Sequence, residues 1–235
     1  MVRETGAARR IGRLHVLTDV TLQQRWSHVE LACRAAAGGA EVVQYRDKRA
    51  LTTTNLVRTA RGMRTALPPE VQLVVDDRAD VALAAGADGV HLGRDDLPPD
   101  VARQILGPER IVGGTANSIE AARSLFALPL DYLGVGPVYG TASKRNPAPP
   151  LGLDALAAIA RESPVPVIAI GGIAPGDVAD LLRAGAYGIA VLSGVALAGD
   201  PERATARYRE ALERAAGPVP GPVRRRPQAP RGVRA

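Results

Sequence analysis

The segment Gln44-Tyr-Arg46-Asp-Lys48 places one amide and two cationic side chains at alternate positions. Alternate side chains of an extended chain point to the same side, so these three polar groups would face one region of space. An arginine can hold an anion through two parallel hydrogen bonds, and a lysine adds a compact positive charge. Together with Lys144 they would suit a substrate that carries a diphosphate or triphosphate.

Pairs of carboxylates occur in two other phrases, "LVVDDRAD" with Asp76 and Asp77, and "GVHLGRDD" with Asp95 and Asp96. Mg²⁺ keeps several water molecules and is commonly held by one or two carboxylates together with substrate phosphates. Asp77 and Asp96 are therefore candidate magnesium ligands. An aspartate after a strand can also do no more than cap the following helix, and this alternative stays open for the first pair.

A third group of candidate residues lies in the phrases "IAIGGI" and "VLSG", which contain Gly171, Gly172 and Ser193. Glycines allow a ligand to approach the backbone closely, and backbone N–H groups near a helix start can bind a phosphate group. The sequence thus predicts two anion sites. A cationic, metal-assisted site would suit a leaving pyrophosphate, and a site of backbone amides would suit a phosphate handle on a second substrate.

The elements that must position these residues alternate along the chain. Short β-branched runs are followed each time by longer amphipathic runs rich in Ala, Leu and Arg. The predicted strands are Leu14–Leu17, Val42–Tyr45, Leu73–Val75, Gly89–His91, Ile111–Val112, Tyr132–Val135, Val167–Ile170 and Gly188–Val191. The predicted helices are Arg25–Ala37, Thr53–Ala66, Ala79–Ala85, Pro99–Leu106, Ile119–Ala127, Leu153–Arg161, Pro175–Ala184 and Glu202–Ala215.

Eight such units in 235 residues predict an α/β fold, a single (β/α)₈ TIM barrel. The candidate residues follow the predicted strands, and active sites of this fold lie at the C-terminal strand ends. We expect three segments: a flexible N-terminus over residues 1–11, a catalytic barrel over 12–216, and a disordered tail over 217–235.

The net charge of +6 does not by itself indicate nucleic-acid binding. Five arginines and no acidic residue lie between Gly217 and Ala235, so most of the excess charge belongs to this Pro- and Gly-rich tail. Such a composition cannot bury a core and is typical of solvated disorder, with binding to RNA or to a membrane as the less favoured alternative. Aromatic residues make up only 3% of the chain, which argues against a surface on which the bases of single-stranded nucleic acid would stack.

The remaining composition narrows the class of protein further. Cys33 is the only cysteine, which excludes an intramolecular disulfide framework. No apolar run has the length of a membrane span or the pattern of a signal peptide, so we expect a cytoplasmic protein. The sequence leaves open whether the chain forms a homo-oligomer.

The same residues resemble the thiamine-phosphate synthase family. The resemblance runs from about Leu14 to Ala215 and lies in ordered blocks: "VQYRDK", "VVDDRADVALAAGADGVHLGRDD", "DYLGVGPVYGTASK", "VIAIGGI" and "GIAVLSG". It implies a Mg²⁺-dependent transferase. The family joins 4-amino-2-methyl-5-hydroxymethylpyrimidine diphosphate to a thiazole phosphate or its carboxylate, and releases thiamine phosphate and pyrophosphate.

The resemblance also implies roles for individual residues. Arg46, Lys48, Thr115 and Lys144 would be catalytic, and Asp77 and Asp96 would bind Mg²⁺. The pyrimidine diphosphate would be bound by Gln44, Tyr45, Arg46, Asp47, Lys48, Asp76, Thr115 and Lys144. The thiazole phosphate would be bound by Thr141, Ala142, Ser143, Gly172, Leu192 and Ser193.

The implied reaction is dissociative: pyrophosphate leaves first, and the thiazole nitrogen then captures the pyrimidine cation. The chain departs from the family pattern where Asp76 replaces an Asn, Gly140 replaces a Pro, and Asn117 stands where relatives often have His. Thr115 and Ser143 are milder departures that exchange one hydroxyl residue for another. One alternative is a thiazole tautomerase of the same superfamily, which would need an acid–base residue and no Mg²⁺. Asn117 disfavours it. Another is a barrel that binds thiamine precursors without turnover.

Overall fold

A computed structural model describes residues 11–141, 143 and 148–216, and its β-strands form one closed parallel barrel in chain order. Each strand pairs with the next, and β8 pairs with β1. The predicted (β/α)₈ barrel is therefore confirmed. The strands are β1 (Leu14–Thr18), β2 (Val42–Tyr45), β3 (Gln72–Asp76), β4 (Gly89–Leu92), β5 (Ile111–Ala116), β6 (Tyr132–Val135), β7 (Val167–Ile170) and β8 (Gly188–Val191).

A helix or a helical pair follows every strand. The helices are α1 (His28–Ala37), α2 (Thr53–Ala66), α3 (Ala79–Ala85), α4 (Pro99–Leu106), α5 (Ile119–Leu125), α6 (Gly152–Glu162), α7 (Val178–Arg183), α8 (Ser193–Ala196) and α9 (Pro201–Ala216). A 3₁₀ turn over Pro175–Asp177 leads into α7. The short α8 between β8 and α9 was not predicted from the sequence.

Local chemistry explains where the predicted bounds differ from those in the structure. Helix α1 begins at His28 rather than Arg25, because Ser27 and Glu30 form a reciprocal capping box that fixes the helix start. Strand β5 continues past Val112 through two glycines to Ala116. Because glycine has a low strand propensity, the sequence did not predict this second half.

The barrel has two apolar layers, one inside the strands and one between the strands and the helices. The inner layer consists of Ile11, Leu17, Val42, Val74, Ile111, Tyr132, Ile168 and Ala190. Ile11 was expected to belong to a flexible N-terminus, but its side chain is only 2% exposed. The expected boundary is wrong at this residue, because an apolar side chain that closes the base of the barrel gains from burial.

Two of the expected segments lie largely outside the described residues, namely 1–10 and 217–235, so their predicted flexibility stays a prediction. Within the described part of the chain, no helix is both long and apolar enough to cross a membrane.

His15 of β1 is buried inside the barrel, where its Nε2 lies 3.0 Å from the carbonyl oxygen of Gly12. Burial lowers the pKa of His15 from 6.5 to about 4. Between these two pH values, His15 would be protonated in the unfolded chain and neutral in the folded chain. We expect protonation of His15 to have no effect on the free energy of unfolding above pH 6.5. As the pH falls from 6.5 toward 4, it should lower this free energy by up to about 3 kcal/mol.

The measurement is the free energy of unfolding by urea at several pH values, for the wild type and for His15→Gln. Glutamine keeps an amide donor and does not titrate, so the difference between the two proteins should shrink or reverse as the pH falls from 6.5 to 4. Parallel curves for the two proteins would show that His15 does not titrate in this way.

Candidate active site

A cavity of about 450 Å³ opens at the C-terminal ends of the strands. It is the place where this fold carries its reactive groups. The cavity brings together most of the residues that the sequence predicted from separate phrases. Those lining it are Gln44, Arg46, Lys48, Asp76, Asp77, Asp96, Thr115, Thr141, Ser143, Gly172, Leu192 and Ser193.

The side chains of residues 44–48, at the end of β2, point alternately to the two faces of the barrel wall. Gln44, Arg46 and Lys48 line the cavity, as their alternation predicted. Tyr45 packs in the outer apolar layer, and the Asp47 side chain is 1% exposed and does not line the cavity. Tyr45 and Asp47 were expected to bind substrate, but the structure does not bring their side chains to the cavity, because odd and even positions of an extended segment point to opposite faces.

The guanidinium of Arg46 is held by a residue that the sequence analysis missed. Asp19, directly after β1, is fully buried and accepts a hydrogen bond from Nη1 of Arg46. The other oxygen of Asp19 accepts from the N–H of Thr21 at 2.8 Å and from its hydroxyl at 2.6 Å. The signal was present in the sequence, since Asp19 is a polar residue that follows a predicted strand.

Lys48 lies between two carboxylates at the end of β3. Its Nζ is 2.8 Å from Oδ2 of Asp76 and also contacts Oδ2 of Asp77. Burial, together with the charge of Asp77, raises the pKa of Asp76 to about 6. Burial tends to raise the pKa of Asp77 too, but the hydrogen bond and the charge of Lys48, together with hydrogen bonds to Asp96 and Asp76, outweigh it, and the pKa lies below the usual value. The two neighbouring carboxylates thus differ in proton affinity.

Asp77 and Asp96 form the pair that could hold a cation. Their carboxylates are within hydrogen-bonding reach of each other, and Asp96 also accepts the N–H of Gly93 at 2.6 Å. Burial and then the neighbouring Asp77 raise the pKa of Asp96. Two carboxylates this close either share a proton or share a cation. The donor set fits Mg²⁺, which needs few protein ligands when phosphate oxygens and water complete its shell.

The backbone at Asp77 supports a special role for this residue. Among the described residues, Asp77 is the one non-glycine residue with a positive φ, at +63°. Its N–H donates to the carbonyl oxygen of His91 at 2.8 Å, which holds the left-handed conformation in place. Strained backbone of this kind is concentrated at functional sites. No group of three or more His, Cys, Asp or Glu side chains suited to a metal occurs in the described part of the chain.

Thr115 is oriented by two aromatic residues that the sequence analysis did not assign to the site. His91 Nε2 lies 2.7 Å from the Thr115 hydroxyl, and His91 Nδ1 lies 2.8 Å from the Tyr132 hydroxyl. The rings of His91 and Tyr132 stack with centroids 5.4 Å apart. Tyr132 is buried, which raises the pKa of its phenol and keeps it protonated. These contacts fix the position of the Thr115 hydroxyl in the cavity.

The opposite side of the cavity is formed by the loops after β7 and β8. Gly171 and Gly172 have φ values of +103° and +66°, and Ser193 begins α8. The first N–H groups of a helix have no partner within it and can bind an anion. This arrangement supports the prediction of a second anion site, here built from backbone rather than from cations.

We expect Gly172→Ala to weaken the second anion site. A Cβ on Gly172 would lie 2.3 Å from the carbonyl oxygen of Gly140, and the positive φ adds strain. Loss of one N–H···phosphate hydrogen bond should raise the Kd for inorganic phosphate about tenfold, the equivalent of ~1.4 kcal/mol. Isothermal titration calorimetry measures this, with Gly176→Ala as the control because its added Cβ would meet no atom within 4 Å. Equal affinities of the two variants would contradict the assignment.

Known proteins match this chain over most of its length. A family model described as thiamine monophosphate synthase matches residues 14–195. The chain belongs to the thiamine monophosphate synthase family. It is 48% identical over 207 residues to a thiamine-phosphate synthase from Salinibacter ruber, which covers 88% of this chain and 91% of the relative. A second thiamine-phosphate synthase, from Anaeromyxobacter dehalogenans, is 46% identical and covers 88% of this chain and 91% of the relative.

A solved structure extends the similarity to the fold. The thiamine phosphate pyrophosphorylase from Pyrococcus furiosus is 37% identical, with a TM-score of 0.79, and the match covers 87% of this chain and 97% of that one. The family resemblance that was inferred from the sequence blocks is therefore confirmed. Two of the residues to which it gave a role, Ala142 and Lys144, lie outside the described residues.

Proposed function

We propose that this chain is a thiamine-phosphate synthase that joins the pyrimidine diphosphate to the thiazole phosphate and releases pyrophosphate. The observation that carries the proposal is that one cavity is lined by two separate groups of residues suited to bind anions. Arg46, Lys48 and the Asp77–Asp96 pair follow β2, β3 and β4, whereas the glycine loop and Ser193 follow β7 and β8. In a barrel of eight strands these two groups face each other across the mouth, which suits two phosphorylated substrates that react between them.

The chain's own residues would bind and orient the leaving diphosphate. Arg46, held by Asp19, would direct its guanidinium toward the diphosphate. The Lys48 ammonium pairs with carboxylates in the structure, and it would pair with phosphate oxygens when the substrate is bound. Asp77 and Asp96 would hold Mg²⁺, which when bound neutralises negative charge on the departing pyrophosphate. These charges stabilise the leaving group more than the bound substrate, which is the requirement for catalysis.

The pyrimidine ring would lie against the floor of the cavity near Gln44 and Thr115. The Thr115 hydroxyl is fixed by His91, and Gln44 is buried at the end of β2. The backbone amides near Gly172 and Ser193 would bind the phosphate of the thiazole, and the neighbouring Thr141 and Ser143 add hydroxyl groups. The enzyme would act mainly by aligning the two partners and excluding water, so the pathway needs no nucleophile from the protein.

The deciding experiment measures pyrophosphate release by the purified protein with both substrates, with each substrate alone, and with EDTA in place of Mg²⁺. We expect release only when both substrates and Mg²⁺ are present, with thiamine phosphate as the product. Metal-independent isomerisation of the thiazole carboxylate phosphate would instead establish a tautomerase. Binding of both substrates without any turnover would establish a binding protein.

A further inference from the structure

A buried network lies behind the segment that carries Arg46 and Lys48. The Thr18 hydroxyl is 2.8 Å from Nδ1 of His28, and Nε2 of His28 is 3.1 Å from Oδ2 of Asp47. All three side chains are buried, and none of them lines the cavity. The order hydroxyl, imidazole, carboxylate is that of a catalytic triad. Thr18 is fully buried, however, so a role in structure rather than in chemistry follows.

The hydrogen bonds of His28 have a definite direction. Burial lowers the pKa of His28, and its ring is neutral near pH 7. A carboxylate accepts only, so Nε2 must donate to Asp47, and Nδ1 is then left to accept from the Thr18 hydroxyl. The ring of His28 also packs edge-on against Tyr45, with centroids 4.8 Å apart. His28 is the first residue of α1, so the network ties this helix to the chain that leaves β2.

Asp47 is the residue on which these contacts converge. Its Oδ1 accepts from the backbone N–H of Arg49 at 3.1 Å and from Nε of Arg49 at 2.9 Å, and its Oδ2 accepts from Nη2 of Arg49 at 2.6 Å. Burial tends to raise the pKa of Asp47, but the hydrogen bonds and the charge of Arg49, together with the neighbouring His28, outweigh it, and the pKa lies below the usual value. The carboxylate is thus charged and surrounded by donors.

The segment that follows β2 has no strand pairing to hold it. The register with β1 and with β3 ends at Tyr45, yet Arg46 and Lys48 come after that point. Side-chain contacts must therefore fix this stretch of backbone. Asp47 lies between the two cationic residues and points to the opposite face, so its contacts hold the backbone from which both cations extend.

We propose that Asp47 and His28 are positioning residues that set the affinity of the cavity for the diphosphate end of the substrate without touching it. The proposal rests on the proposed function, because it assigns the diphosphate to Arg46 and Lys48. It also explains why Asp47 occupies the centre of the "QYRDK" phrase although its side chain faces away from the cavity.

The test measures the Kd of inorganic pyrophosphate with Mg²⁺ by calorimetry, for the wild type, Asp47→Ala, His28→Ala and the double variant. We expect each single variant to raise this Kd about tenfold, and the double variant to raise it no further, because both changes release the same segment. The Kd for inorganic phosphate at the glycine loop should stay within about twofold. The isosteric Asp47→Asn, which keeps the shape of the side chain, should raise the pyrophosphate Kd by less than Asp47→Ala.

Asp131→Ala is the matched control for general loss of stability. Asp131 also accepts a backbone N–H, from Val112 at 2.8 Å, and an arginine, Arg103, at 2.6 Å, but it lies at the other end of the barrel. We expect it to lower the melting temperature and leave the pyrophosphate Kd unchanged.

Three outcomes would overturn the inference: additive effects of the His28 and Asp47 variants, an unchanged Kd in His28→Ala, or an equal effect of Asp131→Ala. The second outcome would mean that His28 takes no part in holding this segment. A wild type that does not bind pyrophosphate at all would instead contradict the proposed function, so the two failures are distinguishable.

Discussion

Replacing Asp77 by Asn should reduce kcat/KM on the order of 10²–10³-fold, the equivalent of about 3–4 kcal/mol, and should make turnover nearly independent of Mg²⁺. Asparagine is the suitable replacement because the backbone at Asp77 has φ of +63°, a conformation that Asn tolerates and Ala does not. The substitution removes the negative charge that faces Asp96 and leaves the local backbone in place.

The measurement is the dependence of pyrophosphate release on Mg²⁺ concentration, together with the Kd of inorganic phosphate at the glycine loop. We expect the phosphate Kd to be unchanged, because that loop lies across the barrel after β7. Asp80→Asn is the control, because it makes the same change in charge three residues away. Asp80 is an exposed residue in the first turn of α3, where it pairs with Arg78. Equal loss of activity in both variants, or loss of phosphate binding in Asp77→Asn, would contradict a separate magnesium site.

Replacing Arg46 by Gln should lower both activity and stability. The Arg46 side chain is 12% exposed and pairs with the fully buried Asp19, and removing one partner of a buried ion pair costs about 3–5 kcal/mol. The same change removes a cation that would bind the diphosphate, so kcat/KM should fall on the order of 10³-fold. Thermal unfolding and pyrophosphate release measure the two effects separately.

The double variant Asp19→Asn, Arg46→Gln separates these two contributions. Two amides can hydrogen-bond to each other without a buried charge, so we expect much of the lost stability to return. Activity should remain as low as in Arg46→Gln, because the cation that faces the diphosphate is still absent. Recovery of activity together with stability would show that Arg46 has only a structural role.

The fold could be predicted from the sequence because its determinants are local. β-branched runs of four or five residues alternate with Ala- and Leu-rich amphipathic runs, and right-handed βα units of this number close into a barrel. The errors occurred where local signals are weak or conflict. The low strand propensity of Gly113 and Gly114 left half of β5 unpredicted. The capping box at Ser27 starts α1 three residues later than predicted.

Much of the site could also be predicted, because polar residues at the C-terminal strand ends converge in any closed parallel barrel. Asp77 and Asp96 follow consecutive strands, so their proximity could be inferred from the order of the elements. The family blocks then assigned residues 44–48 as one substrate-binding unit. Within these residues, the alternation of the chain directs the side chains of Tyr45 and Asp47 away from the cavity.

By itself, then, the sequence determined the order of the elements, the end of the barrel that carries the chemistry, and which residues of a strand share a face. Only the tertiary structure decided how these residues are held: Asp19 under Arg46, His91 between Thr115 and Tyr132, and His28 against Asp47. The physical reason is that the hydrophobic periodicity that predicts helices and strands depends only on residues close together in the chain. A hydrogen bond between residues 19 to 41 positions apart depends on how the closed barrel brings different strands and helices together.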